Sequence, residues 1–568
     1  MNKKKLNDLI MLLILLALIV PSHAIGIDKV VTIDEPWWVI SGSNYYYALT
    51  HKDFANTLYD YHPAVTTTWM VTTGMLFYFP EYRALGQGYF DVRKPKFEDF
   101  MRSHSKKVID LVRYSRWFQT ALLIALAVLG YFLLQMLMDR RPAFLAIALA
   151  MNAPFFLGHS RLLNHEGLLA MFVLVSLLGM QVYLNKERKL IYLLISGAAF
   201  GLAQLTKSSS IVVIGAVGLM LFIGLFKKDE KPLILKLWAA IKIFAGWLAA
   251  AAIVYVVLWP GMWVAPGEML YGVFGNAFSY AFQGARLDVT RELKPSSFNL
   301  VLSLSSVIPY LMGWRVSSTL ISWLGLLLAL FIAFSKDRDI LSAPVRSTIA
   351  YLILIAALFI LLFAIAQGRN GLHYILSSFV ALDVVAGIGW GYLLVWAQKR
   401  WVVFGRVYIN LILIFIVAAL QLASSLPYYP YYFTYKNSLL SKPTVFGYGE
   451  GMAEAADYLA QKPNAPDIQA YVYNGMGTFS YFFPGETLVF KRIHLIDKNF
   501  AEITSEMQSS DYLVLYTAVQ KNLPESVDLL RAFQNVPPEK IIYISGLEYV
   551  RIFKISDIPE SVYAELNK

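Results

Sequence analysis

Two carboxylates stand side by side at Asp34 and Glu35, inside the stretch "VVTIDEPWWVISGSNYYYALTHKDF". The other polar groups of interest divide by charge: Asp53, Asp60 and Glu166 are acids, while His62, His159, Arg161, Lys207, Arg369 and His373 are bases or imidazoles. Acids of this kind serve proton transfer, and fixed cations serve anion binding. The chain has no cysteine, so thiolate chemistry, disulfides and Cys-ligated metals are excluded. Taken singly, each group also has a structural reading. The acid pair, flanked by Trp37, Trp38 and Tyr45 to Tyr47, reads equally as a turn at a membrane edge. Lys207 lies between two apolar runs and either snorkels outward or binds an anion. Arg369 and His373, four residues apart with Tyr374 beside them, line one helical face as a boundary anchor or as a site.

The elements that must carry these groups are apolar helices. Of the 568 residues 57% are hydrophobic and 15% charged, and the mean hydropathy is +0.53. That balance excludes an ordinary soluble enzyme and fits a chain that uses lipid as solvent. A bilayer core about 30 Å thick needs about 20 apolar residues per helix, and runs of that length predict about eleven spans. They lie at Leu6–Val20, Leu111–Met138, Pro142–Leu157, His165–Leu184, Leu190–Thr206, Ser208–Phe226, Leu237–Trp259, Gly313–Phe334, Ile349–Ala366, Leu372–Trp396 and Phe404–Leu426. A formal net charge of +11 raises the question of nucleic acid, but the basic residues form short clusters between apolar runs and no stripe on a soluble unit. Nucleic acid is therefore not expected as a partner, and membrane lipid is.

Those clusters alternate. Lys3 to Lys5, "DRR" (139–141), "NKERK" (185–189), "KKDEK" (227–231), "SKDRD" (335–339) and "QKR" (398–400) all fall on one side, the cytoplasm by the positive-inside rule. The N-terminus is then cytoplasmic in a plasma-membrane protein, and the loop 27–110, the turns before Glu166 and after Lys207, and everything beyond Pro427 face outward. Residues 1 to 24, with a basic start and "SHA" at the end, also resemble a cleavable signal peptide; a retained helix is the expectation. "AVTTTWMVTTGMLFYF", from Ala64, is read as a helix in the membrane interface. After Pro427 the composition changes. "GEGMAEAADYLAQ" reads as an amphipathic helix, and "IQAYVYN", "DYLVLYT", "KIIYIS" and "EYVRIFKI" read as strands. The expected fold class is an all-α polytopic membrane domain over 1–427, with a first outer loop at 27–110, followed by a small extracytoplasmic α/β domain over 428–568.

In that order along the chain the motifs resemble the GT-C class of glycosyltransferases, in the branch with the protein O-mannosyltransferases and the aminoarabinose lipid A transferase. "IDEPWW" is similar to the family's acidic pair, "YDYHPAVTTTW" to its HPP segment and "HSRLLNHEGLLAMF" to its second outer turn. "GLAQLTKSSS" is similar to its Thr-Lys turn, "WPGMWVAP" to its Trp-Pro loop and "GRNGLHYIL" to its Arg-x-x-x-His-Tyr element. The tail "FGYGEGMAEAADYL" also resembles that of bacterial and archaeal members. HPA in place of HPP, Glu166 in place of the more common Asp, and small residues before His373 are departures that bear on the sugar and the acceptor.

The resemblance implies a GT-C-like fold and transfer of a sugar, with inversion, from a polyprenyl-phosphate donor to a hydroxyl of a lipid, a glycan or a protein Ser/Thr. It implies catalytic roles for Asp34 and Glu35, with Asp34 as base and Glu35 orienting the acceptor or binding a cation. Lys207, Arg369, His373 and Tyr374 are expected at the donor phosphate, and His62, Arg161 and Glu166 at the substrate. No cofactor is required by this chemistry, a divalent cation is compatible with it, and the metal ligands are unknown. A transporter or lipid flippase is the second reading, carried by Asp383, ten residues past His373 and so about 15 Å deep at 1.5 Å per residue. No repeated pair of broken helices accompanies it. A non-catalytic subunit that binds partners through its tail is the third.

Overall fold

The computed structural model describes residues 3–85, 88–186, 188–226, 232–283, 304–334, 341–366, 371–401, 407–490, 492–518 and 526–567. Helices α1 (Lys3–Ala24), α2 (Glu35–Thr50), α3 (Val65–Tyr78), α4 (Lys96–Ser103), α5 (Val108–Leu137), α6 (Arg140–Met151), α7 (Pro154–Ser160), α8 (Glu166–Asn185) and α9 (Leu190–Thr206) come first. After them follow α10 (Val212–Leu225), α11 (Leu233–Val257), α12 (Val307–Ser317), α13 (Leu320–Phe334), α14 (Ala343–Ile365), α15 (Leu376–Arg400), α16 (Val407–Ser425) and, in the tail, α17 (Met452–Ala460). Among the described residues eight helices are long and apolar enough to cross a membrane, or ten if each of two bent pairs is one span. The chain is thus a multi-pass membrane protein, but the expected eleven spans are not reached. The run Leu190–Thr206 forms a helix of only 17 residues, about 26 Å long at 1.5 Å per residue and short of the hydrocarbon core. The run at 313–334 is broken, with α12 and α13 meeting at 116°, and α6 and α7 meet at 62°.

α1 is an integral member of the bundle: Met11, Leu15, Leu18 and Ile19 are buried in its main core. α3 packs on α2, α5 and α9. Four of its five threonines are buried, and Thr66 Oγ1 lies 2.8 Å from Thr206 Oγ1.

In lipid, helices gain little by hiding apolar surface from one another, so close approach through small residues is what fixes their crossings. α15 illustrates this on two faces. A Cβ at Gly387 would stand 2.4 Å from the backbone of Ala146 in α6, and one at Gly389 would stand 2.0 Å from the carbonyl oxygen of Gly325 in α13. α15 is therefore clamped along its length, which fixes the 3-10 turn Leu372–Ile375 at its N-terminal end. Asp383 sits in this clamped stretch, is 1% exposed and bonds Ser322. Ser322 belongs to a polar cluster with Thr319 and Gln421, in which Thr319 Oγ1 donates to Gln421 Oε1 at 2.6 Å. That cluster lies beside the buried acid.

The tail forms a mixed five-stranded sheet in the order β2-β1-β3-β5-β4. β1 (Gln469–Val472) pairs in parallel with β2 (Glu486–Val489) and β3 (Tyr512–Tyr516), while β5 (Leu547–Lys554) runs antiparallel to β3 and to β4 (Lys540–Ile544). Central β3, "YLVLY", is buried at all five positions, as a strand covered on both faces must be. The four predicted strands and the predicted helix are present. β2 was not anticipated: it is a short edge strand with one exposed and three half-buried residues, and so carries no clear alternation. The core of this unit runs from Met452 to Leu566, whereas Tyr431, Phe433 and Tyr448 pack with Val30 and Leu162 on the membrane domain.

If the α15 crossing depends on backbone contact, Gly387→Ala costs of order 1–3 kcal/mol through overpacking. Gly215→Ala in α10, where a Cβ would meet nothing within 4 Å, is neutral or stabilising by up to ~1 kcal/mol through helix propensity. Thermal unfolding in detergent should separate the two variants in that order, and equal midpoints would refute the account.

Candidate active site

Asp34 precedes α2 and makes no side-chain cap bond to it. Its carboxylate is left for other partners: Tyr448 Oη donates to Oδ2 at 2.7 Å. Asp34 is exposed, and it faces a cavity of about 360 Å³ lined also by Trp37, Trp38, Asp60, His62, Asn164, His165, Glu166, His373, Tyr374 and Tyr448. The structure thus gathers Asp34, His62, Glu166, His373 and Tyr374 of the predicted site residues around one space.

Glu35 is not among them, although it is the next residue. It is 0% exposed. Its Oε1 accepts from Arg116 Nε at 3.1 Å, Arg116 Nη2 at 2.5 Å and the Leu163 amide at 2.6 Å, and its Oε2 accepts from the amide and hydroxyl of Thr32 at 2.8 and 3.1 Å. Five donors use up what two carboxylate oxygens can accept. No lone pair is left for an acceptor or a cation. Two further guanidinium N–H groups of Arg116 go to the carbonyls of Ile27 and of Val30, the latter at 2.8 Å. One turn along α5, Gln119 donates to the carbonyls of Ser160 and Leu162 at 2.9 and 2.6 Å. α5 thereby fixes both the start of α2 and the turn that delivers Asn164, His165 and Glu166.

Arg161 also differs from its expected place. It is 5% exposed and donates to the carbonyls of Ser22 at 2.9 Å and Ile25 at 2.5 Å, with the rings of Tyr432 and Tyr429 at 5.1 and 5.8 Å. The guanidinium ties the outer end of α1 to the tail and does not line the cavity. Lys207, 1% exposed, is in direct ion-paired contact with Glu166, and its ammonium lies 4.3 Å from the Tyr374 ring centroid. It stands immediately behind the cavity wall. Arg369 lies outside the described residues.

His62 and His165 stand with ring centroids 5.2 Å apart, and the amide of His62 donates to Asp60 Oδ1 at 3.1 Å. Burial, then the Lys207 charge, holds His165 well below its usual range, so its ring is neutral. Burial and the Asp34 carboxylate push the Tyr448 phenol well above its usual range, so it remains a donor. Among the described residues no group of three or more His, Asp or Glu side chains is placed to hold a metal ion. Sequence reasoning missed His165, Asn164 and Tyr448 as site residues. The first two were quoted within a motif, and the third stood in "FGYGEG", whose close glycines mark a tight loop.

Residues 110–263, from α5 to just beyond α11, match the family model described as dolichyl-phosphate-mannose-protein mannosyltransferase. The match agrees with the motifs: over this stretch the chain is similar to the same class of membrane glycosyltransferases. The matched stretch contains Arg116, Glu166 and Lys207, while Asp34, His373 and Tyr448 lie outside it. Curated proteins give no match. Among solved structures, ArnT from Cupriavidus metallidurans in the apo state is 15% identical over 96% of this chain and 98% of its own, with a TM-score of 0.49. The archaeal oligosaccharyltransferase AglB from Archaeoglobus fulgidus is 14% identical over 100% of this chain and 77% of its own, at 0.47. The protein O-mannosyltransferase Pmt1-Pmt2 complex of S. cerevisiae is 17% identical over 52% of this chain and 38% of its own, at 0.34.

Removing one member of a fully buried ion pair leaves the other uncompensated, at a cost of about 3–5 kcal/mol. Arg116→Ala is therefore expected to unfold at much lower temperature than wild type, and Arg116→Ala/Glu35→Leu to recover part of the loss. A double variant no more stable than the single one would count against the pair as the organising contact.

Proposed function

We propose that this chain transfers a sugar from a polyprenyl-phosphate donor to an acceptor hydroxyl, with inversion, and that Asp34 is the base. The observation that carries the reading is the placement of Asp34, exposed at a polar cavity where it accepts from Tyr448, with the Lys207 ammonium behind the cavity residue Glu166. As the acceptor hydroxyl attacks the anomeric carbon, its proton passes to Asp34 and the carbon–oxygen bond to the phosphate breaks on the far side. A phosphate is a good leaving group, so no second acid has to protonate it as in glycoside hydrolysis.

Lys207, Arg369, His373 and Tyr374 serve the donor phosphate in this proposal. Lys207 shares its three N–H donors between Glu166 and the phosphate, and Tyr374 supports the ammonium with its ring face. Glu35 and Arg161 are positioning residues, while His62 and His165 offer ring nitrogens to sugar hydroxyls. The acceptor is a lipid, a glycan or a protein Ser/Thr, and no step is assigned to a divalent cation. The N-terminus is cytoplasmic, and the loop 27–110 and the domain 428–568 lie on the non-cytoplasmic side of the cell membrane, in keeping with the basic clusters between spans.

In proteoliposomes supplied with a polyprenyl-phosphate mannose, Asp34→Asn is expected to retain donor binding while losing transfer by about 10²–10⁴-fold, as removal of a general base does. Lys207→Met/Glu166→Gln, which leaves no buried charge unpaired, is expected to weaken donor binding as well as turnover. Near-normal transfer by folded Asp34→Asn would reject the base assignment. The sidedness has its own check, because the chain has no native cysteine. Single cysteines at the exposed positions Lys94 and Ser509 should both react with an impermeant maleimide added outside intact cells, and protection of either would overturn the topology.

A further inference from the structure

Tyr448 stands 414 residues from Asp34 in the chain, and the contact between them joins the tail domain to the candidate base. The loop that delivers it is held at almost every backbone amide. Gly447 and Tyr448 donate their N–H groups to the Glu450 carboxylate at 3.2 and 2.7 Å. Gly449 donates to Tyr516 Oη at 3.0 Å, and Gly451 donates to Tyr431 Oη at 3.0 Å. Tyr516, the last residue of central strand β3, in turn donates its hydroxyl to Glu450 at 2.6 Å. Gly447 and Gly449 take φ of 88° and 107°, values that side-chain-bearing residues rarely adopt, and so form the reversal that aims Tyr448 at the cavity. Glu450 is 0% exposed. Its burial serves this loop alone among the contacts described.

We infer that the tail domain completes the active site: through Tyr448, held by Glu450 and Tyr516, it fixes the orientation of the Asp34 carboxylate and keeps it ionised. Tyr448 is a positioning residue in this scheme, and its catalytic consequence rests on the reading of Asp34 as the base. A phenol that donates to a carboxylate stabilises the anion, so its loss raises the pH at which that carboxyl takes up a proton. The charged and titratable groups that share the cavity with Asp34 are Asp60, His62, His165, Glu166 and His373, with Lys207 behind Glu166. Glu35 and Arg116 lie on the other side of the α2 start. Tyr61 and Tyr374 also line the cavity; Tyr448→Phe keeps the ring that stacks on His373 at 6.3 Å, and Tyr516→Phe removes a hydroxyl bonded only to the 447–451 loop among the contacts described.

The test follows the Asp34 carboxyl directly, by infrared titration of the full-length protein in nanodiscs, taking as its signal the C=O band that Asp34→Asn removes. Tyr448→Phe is expected to move the midpoint of that band up by about one to two pH units. It should lower kcat for transfer from a polyprenyl-phosphate mannose by on the order of tenfold to a hundredfold, the size of one hydrogen bond to a charged group, with KM little changed. Tyr516→Phe, which leaves the Tyr448 hydroxyl in place but removes a hydroxyl that holds its loop, should move the midpoint the same way by less. It covers the case in which Tyr448→Phe does not fold. An unmoved midpoint in whichever of the two variants folds overturns the inference. If the midpoints move but Asp34→Asn still transfers sugar, the base assignment fails and the coupling stands. If Asp34→Asn is inactive while folded Tyr448→Phe titrates and turns over like wild type, the coupling fails and the base assignment stands.

Discussion

The buried pair of Glu35 and Arg116 is the contact on which the outer face of this protein depends. Two charges taken out of water lose several kcal/mol of hydration each, and an ion pair repays that loss only when the remaining donors and acceptors are satisfied too. Here they are. The carboxylate receives Thr32 and Leu163 as well as Arg116, and the guanidinium extends to the carbonyls of Ile27 and Val30. Four segments far apart in the chain, the link after α1, the start of α2, the middle of α5 and the α7–α8 turn, are drawn to one point. Asp34 is left immediately beside that point, fixed in place by its neighbour and yet exposed.

The other charges of the membrane domain follow the same economy of desolvation. Arg161 has its guanidinium charge taken up by two backbone carbonyls and two aromatic rings. Lys207 is paired with Glu166, and Asp383 is drawn into a hydroxyl and amide cluster between helices. This pairing separates residues that look alike in sequence, since Arg161 and Lys207 both end outer turns but only the second stands at the site.

The tail adds a constraint that the helices do not supply. A bundle packed through Gly387 and Gly389 holds His373 and Tyr374 at the end of a clamped helix. Asp34, at the end of a loop, has its hydrogen-bond partner Tyr448 in the tail. The sheet that carries Tyr516 is the rigid support for that partner, and the loop 447–451 is the only short link in the chain of contacts described between them.

Sequence by itself determined the lipid-embedded class, most of the spans, the strands of the tail and the set of polar residues at one face, because hydropathy, period and charge clustering are local quantities. It also found Asp34, His62, Glu166, Lys207, His373 and Tyr374, each within a short motif. It gave Glu35 a catalytic role because adjacent acids look alike until their partners are known. The partner of Glu35 is 81 residues away in α5, and that of Asp34 is 414 residues away in the tail. Which acid is consumed and which is left open is a matter of long-range pairing, as is the direction in which Arg161 points. The count of spans differs from the expected eleven for a related reason: apolar length is written in the sequence, whereas the breaks of 62° and 116° and the packing around the short α9 exist only in the assembled bundle. Tertiary structure decided these because burial makes an unpaired charge too costly to leave, and only the fold brings the available partners within reach.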